Sequence, residues 1–268
     1  MTVELNYRIT GEGEPLILLH GLFGSLENLG GISRRLQDEW QIHALDQRNH
    51  GGSPHTDTMN YPAMAADVVA YMDAHGLDNA SIIGHSMGGK TAMQVALQAP
   101  QRVNRLVIAD ISPVAYKARH DAILESLKSM DLSVVRSRQD ADQQMAEHVE
   151  ALATRQFLLK NLERVPPEAQ VEDGPMFRWR LNLPVIDACY RNLADAPVGE
   201  KPFTGPVLFI KGADSAYIQE KHRPDIQRLF PAAELRIIQN TGHWLHAEKA
   251  DTFASLCRRF LKGEVISD

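Results

Sequence analysis

The sequence predicts an α/β fold: a mostly parallel central sheet flanked by helices, with an inserted helical cap. Three observations carry that prediction. Short apolar runs of strand length alternate with helical patterns as far as Asp110, and again after Gly205. Nearly every run ends in a glycine or polar loop, and in open α/β sheets that C-terminal edge carries the site. Between Tyr116 and Gly205 strand signals nearly vanish and helical patterns follow one another.

The elements follow in chain order. Val3 to Ile9 suits an antiparallel edge hairpin. Residues 15–20, Pro-Leu-Ile-Leu-Leu-His, read as a buried strand ended by a glycine turn. Residues 40–46 form the second strand, followed by polar Gln47-Arg48-Asn49. Residues 61–75 place Met64, Val68, Val69 and Met72 at helical spacing, and Gly76 suits the C-terminal end. Residues 80–83 form the third strand, stopped by Gly84, and residues 87–99 a helix stopped by Pro100. Residues 105–109 form the fourth strand, ending at Asp110. In the inserted block, helices are expected over 117–130, 139–152 and 155–162, then Pro166-Pro167 interrupts. Another spans 183–193, with Pro184 near its start. Residues 206–210 and 234–238 are the fifth and sixth strands, and 250–261 the closing helix. The chain thus divides into a core of residues 1–115 and 206–268 and a cap of residues 116–205, one domain with an insertion.

Composition excludes several classes. Of 268 residues, 44% are hydrophobic and 23% charged, which rules out a mostly disordered chain, a collagen-like fibre and a coiled coil. No apolar stretch approaches the ~18 residues of a membrane span. Met1-Thr2-Val3-Glu4 lacks the features of a signal peptide. A net charge of −6 argues against a nucleic-acid partner. Cys189 and Cys257 form no C-x-x-C pair, and two free thiols fit a reducing, cytoplasmic setting. His43, His50 and His55 are spread over a loop without an H-E-x-x-H helix, so neither metal nor cofactor is expected. The expected state is a monomer or small homo-oligomer acting on a small molecule.

Gly84-His85-Ser86-Met87-Gly88 is a G-x-S-x-G motif between an apolar run and a helix, the setting of a nucleophile elbow. The sharp turn lifts the Ser86 hydroxyl above the sheet at a helix N-terminus. A serine hydroxyl needs a neighbouring imidazole to take its proton. His243, in Asn240-Thr241-Gly242-His243-Trp244 after the last strand, lies at the same edge. His20-Gly21-Leu22-Phe23-Gly24 ends the first buried strand, where a backbone N–H can meet an oxyanion. Leu22 is the first choice for that donor and Phe23 the second, with Met87 N–H as its companion. Gly84, Gly89, Lys90 and Thr91 also match phosphate-loop spacing, but that reading leaves His20-Gly21 and Gly242-His243 unexplained.

Together with Asp46-Gln47-Arg48-Asn49-His50-Gly51, these residues resemble the α/β-hydrolase superfamily along nearly the whole chain. The nearer resemblance is to the YbfF-type esterases. It rests on His20-Gly21-Leu22-Phe23-Gly24-Ser25, Arg48-Asn49-His50-Gly51, the elbow through Lys90, Asp110-Ile111-Ser112-Pro113-Val114 and the run from Gly242 to Lys249. It implies a serine esterase or thioesterase with a helical cap. In many relatives the triad acid follows the penultimate strand as G-x-x-D, but the third residue after Gly212 here is Ser215, and Asp214 comes one place early. The resemblance implies that the acid is displaced to Asp110, with Ser215 as an auxiliary hydrogen-bond partner of His243; Asp214 is the alternative. Asp46 is expected to anchor a loop and Asp67 to lie on a helix surface. Tyr116, Phe157, Met176, Trp179 and Tyr190 are candidates to line the cap side of the site, though each is expected rather to pack in the cap's own core, and Arg178-Trp179-Arg180 is expected to form a solvated face rather than to meet an anionic substrate group. A lyase or C–C bond hydrolase could use the same triad, and a non-enzymatic binding protein could share the scaffold.

Overall fold

The computed structural model describes residues 1–117, 120–172 and 174–265. The chain opens with β1 (Tyr7–Thr10), β2 (Glu14–Leu19), α1 (Gly30–Leu36), β3 (Trp40–Leu45), α2 (Tyr61–Ala74), β4 (Ala80–His85), α3 (Met87–Gln98) and β5 (Val103–Ala109). The next segment holds α4 (Asp121–Ser129), α5 (Arg138–Ala146), α6 (Leu152–Leu158), β6 (Leu162–Arg164), β7 (Phe177–Trp179), α7 (Leu183–Ala188) and α8 (Tyr190–Ala194). The main fold then resumes with β8 (Val207–Gly212), α9 (Arg223–Leu229), β9 (Ala233–Ile238), α10 (Leu245–Glu248) and α11 (Ala250–Leu261).

Seven strands form one sheet in the order β1-β3-β2-β4-β5-β8-β9. Only β1 runs antiparallel, and it pairs with β3 rather than forming a hairpin with β2. Side chains alternate between the two faces, as a pleated strand requires. Leu16, Leu18, Ile83, Val107, Leu208 and Ile210 pack against Leu36 of α1 and Phe253, Cys257 and Phe260 of α11. Ile17, Leu19, Ile82, Leu106, Ile108 and Phe209 face Val68, Met72, Met93 and Ala96 of α2 and α3. A third apolar cluster joins Leu124, Leu158, Leu162 and Ile186 of the inserted segment to Phe23, Met59, Tyr61 and Met87 at the sheet's C-terminal edge. No helix among the described residues is long and apolar enough to cross a membrane.

The inserted segment departs most from expectation. The helix expected over 117–130 is α4, which begins at Asp121; residues 118–119 lie outside the described residues. The one expected over 139–152 ends at Ala146, and α6 takes up part of the third. Beyond α6 the chain forms a small antiparallel hairpin, β6 with β7, where no strand was expected. The span 183–193 breaks at Cys189 into α7 and α8. Helices α1 and α9 were not anticipated, since α1 opens on two glycines of poor helix propensity.

Asp67 is not a surface residue. It is buried on α2 and holds Arg48 through two bonds, Nε to Oδ2 at 2.6 Å and Nη2 to Oδ1 at 2.8 Å. The pair ties the loop after β3 to that helix. Asp46 secures the same loop by accepting from the N–H groups of Leu26 and Gly52 and from the Asn6 amide.

Candidate active site

Strands β4 and β5 pair in parallel with His85 opposite Ala109. Ser86 and Asp110, each one residue further, therefore leave the sheet side by side. The ladder continues into both: Ser86 N–H donates to Ala109 O at 3.0 Å, and Asp110 N–H to Ile210 O at 2.8 Å. Both residues have φ of 53°, a sparsely populated backbone region that costs a residue other than glycine about 1–3 kcal/mol. The turn is tight enough to demand its glycines. A Cβ on Gly84 would lie 2.2 Å from Gly88 O, and one on Gly88 would lie 2.2 Å from Leu19 O.

The loop between β9 and α10 brings His243 over this pair. Its Nε2 is 3.0 Å from Ser86 Oγ, and its Nδ1 is 2.8 Å from Asp110 Oδ2. Asp110 is fully buried and also accepts from Gly212 N–H at 3.1 Å and from the Ser215 hydroxyl. Three donors thus converge on one carboxylate. The bond to Asp110 places the His243 proton on Nδ1 and turns the Nε2 lone pair to the Ser86 hydroxyl. Ser215 was expected to bond His243 itself; it reaches the carboxylate instead, because His243 Nδ1 is already taken by Asp110. Asp214 is exposed, its N–H donates to Thr241 O, and no bond joins its carboxylate to His243 among the described residues.

Groups given no catalytic role by the sequence hold the histidine loop. His85 Nε2–H donates to His243 O at 2.8 Å. Burial drives His85 well below the ordinary histidine range, so it stays neutral. His246, pushed down to about 3 by burial, packs on the His85 ring at 4.3 Å between centroids. The Tyr217 ring lies 4.2 Å from that of His243. Glu248 accepts from Gly242 N–H at 2.8 Å. The x of G-x-S-x-G being histidine was a visible signal; the Tyr217 contact had none.

The loop after β2 is equally tied. His50, held down to about 3 by burial, donates from Nδ1 to Arg48 O and accepts Phe23 N–H at Nε2, 3.2 Å away. Phe23 N–H, the second choice as oxyanion donor, is therefore engaged. Among the described residues, neither Leu22 N–H nor Met87 N–H has a protein acceptor, and both residues border the space around Ser86. The residues that mimic a phosphate loop face inward: Lys90 donates to Ala194 O and Asp195 O, and Thr91 to Gln47 Oε1. Of the expected lining residues, Phe157 borders a larger cavity beside Ser86, and Tyr116 and Tyr190 a smaller one. Met176 and Trp179 pack on the apolar core of the inserted segment, as expected, and Arg178 pairs with Glu163.

Comparison with known proteins agrees with the fold. Residues 14–250 match the alpha/beta hydrolase fold family. The chain is 43% identical over 258 residues to the sn-1-specific diacylglycerol lipase ABHD11 of Xenopus laevis, covering 93% of this chain and 80% of that protein. It is 41% identical over 251 residues to the esterase YbfF of Escherichia coli, covering 92% of each. A solved marine microorganism esterase superposes with a TM-score of 0.91 at 40% identity, over 97% of this chain and all of that one. The chain belongs to the alpha/beta hydrolase fold family, and within it to the type represented by YbfF and ABHD11.

Proposed function

We propose that this carboxylic ester hydrolase cleaves small-molecule esters, thioesters included, through an acyl-enzyme on Ser86. The observation that carries the reading is the continuous chain Ser86 Oγ, His243 and Asp110, with links of 3.0 and 2.8 Å. Ser86 Oγ attacks the carbonyl carbon as His243 Nε2 takes its proton. The N–H groups of Leu22 and Met87 receive the developing oxyanion, and Asp110 stabilises the imidazolium. His243 then returns the proton to the leaving oxygen or sulfur. Water, activated by the same imidazole, releases the acid. The segment 116–205 serves as the cap over this centre. The esterase and lipase names of the relatives support the reaction class, and the thioester is included because the same carbonyl chemistry applies.

The test is a burst of p-nitrophenol from p-nitrophenyl acetate, with Ser86→Ala as control and a fluorophosphonate to label Ser86. A burst in the native chain that disappears in Ser86→Ala is expected. Activity that survives in the variant would refute the mechanism, and inactivity on all esters with Ser86 still labelled would point to C–C bond chemistry instead.

A further inference from the structure

Two cavities meet at Ser86, and both are bordered by Leu22. The larger measures about 440 Å³ and is walled by His243, Trp244 and Ala247 of the histidine loop, with Phe157, Ile123 and Leu29. The smaller measures about 50 Å³ and lies among Met87, Ile111, Tyr61, Tyr190, Leu193 and Tyr217. His243 borders the larger cavity and not the smaller.

We propose that the small cavity is the acyl pocket and the large one receives the leaving group. The substrates are then esters or thioesters of short, unbranched acids with bulky, largely apolar alcohols or thiols. This rests on the acyl-enzyme at Ser86. The assignment follows from the proton. The leaving atom must take a proton from His243 Nε2, so the departing group lies on the side that His243 borders. The acyl carbon stays bonded to Ser86 with its oxyanion at Leu22 and Met87, and its chain enters the remaining space. At about 10–15 Å³ for each water-sized position, 50 Å³ holds roughly three to five heavy atoms, the reach of a short acyl chain such as butyryl.

Most polar groups around the small cavity are already bonded to protein, and Lys117, which also borders it, is exposed. Tyr61 OH donates to Leu193 O, Tyr116 OH to Tyr217 O, and Lys90 Nζ to the carbonyls of Ala194 and Asp195. Tyr190 Oη accepts from His120 N–H. The Tyr61 bond to the Leu193 carbonyl fixes α8 against α2, so this wall does not yield to a longer chain.

The test measures kcat/KM for p-nitrophenyl esters from acetate to dodecanoate on the full chain, with Ser86 labelling by a methyl fluorophosphonate run in parallel. Acetate to butyrate should be hydrolysed fastest, with a fall of at least about tenfold by octanoate. Leu193→Ala should raise the octanoate-to-butyrate ratio about tenfold. Octanoate or dodecanoate turned over as fast as butyrate would overturn the assignment. So would a labelled Leu193→Ala protein with an unchanged profile. The profile of the native chain decides even where that variant does not fold. Failure of the acyl-enzyme reading shows separately, as absent labelling and full activity in Ser86→Ala.

Discussion

Asp110→Asn isolates what the buried acid does, because the structure dictates how an amide must sit there. Gly212 N–H is a backbone donor that cannot turn away from Oδ1, and His243 Nδ1 and the Ser215 hydroxyl both point at Oδ2. An asparagine with its oxygen toward Gly212 presents its NH2 to His243. The imidazole must then accept at Nδ1 and carry its proton on Nε2, facing Ser86, where it cannot take the serine proton. The flipped amide restores the tautomer but sets NH2 against Gly212 N–H inside the protein. Two buried donors without acceptors cost about 1–3 kcal/mol each, so the competent form is suppressed by about 30-fold to 10⁴-fold. Loss of the negative charge beside the imidazolium adds to this. The expected fall in kcat is about 10³–10⁴-fold, the upper figure matching what the same change does in a serine protease triad. The assay is steady-state hydrolysis of p-nitrophenyl butyrate at saturation, with the rate of fluorophosphonate labelling as a second readout. Asp214→Asn should stay within about twofold, since that side chain is exposed. Asp110→Asn within tenfold of the native rate, or a larger loss in Asp214→Asn, would refute the reasoning.

Ser215→Ala removes one of three donors to Asp110, so kcat/KM should fall about 10- to 100-fold, far less than in Asp110→Asn; equal losses in the two variants would contradict this ranking. Asp67→Ala leaves the Arg48 guanidinium buried without its carboxylate and should cost about 3–5 kcal/mol, read as a lower urea midpoint. The double variant Arg48→Met/Asp67→Leu should recover most of that loss. Acid should weaken the fold through His50 and His246, which are neutral when folded, pushed down to about 3, and titrate near 6.5 when unfolded. Their contribution is intact above about pH 6.5 and is lost as pH falls from there toward 3, by roughly 1.4 kcal/mol per pH unit per histidine. Urea unfolding at pH 7.5 and 5.5 checks it, and equal stabilities at the two values would exclude it.

Where the deciding physics is local, the sequence was readable. Gly84 and Gly88 sit at fixed offsets from Ser86 because the turn leaves no room for a Cβ, and an apolar run before with a helix after is enough to place the elbow. Asp110 is different. Its bond to His243 joins residues 133 positions apart and depends on β5 lying between β4 and β8. Counting along the loop after β8 leads only to Asp214 and Ser215; it was the family resemblance that pointed to Asp110. The choice between Leu22 and Phe23 was equally hidden, because it turns on His50, 27 residues away, taking the Phe23 N–H. In the inserted segment the elements are short. Three-residue strands such as β6 and β7 show no periodicity, and tertiary packing of Leu162 and Phe177 decides their state.

Backbone strain is concentrated at the edge of the sheet that holds the proposed triad. Among the described residues, five that are not glycine have positive φ: Phe23, Asn49, Ser86, Asp110 and Asn240. They follow β2, β3, β4, β5 and β9 respectively, so all lie at the C-terminal edge. A strand that must reverse at once into a loop or helix forces its next residues out of extended geometry, and such residues persist only where neighbours over-determine them. Neighbours hold four of the five. Ser86 and Asp110 are held by the ladder bonds to Ala109 and Ile210, Asn49 N–H by Pro54 O, and Phe23 N–H by His50. Two of the five are the members of the proposed triad that come from the sheet itself. The separation of Ser86 from Asp110 is therefore set by the register of β4 on β5, the best-buried pair of strands in the molecule's centre, and not by the flexibility of either side chain. Only His243 must be delivered from a loop, which is why the contacts of His85, Tyr217 and Glu248 gather around it.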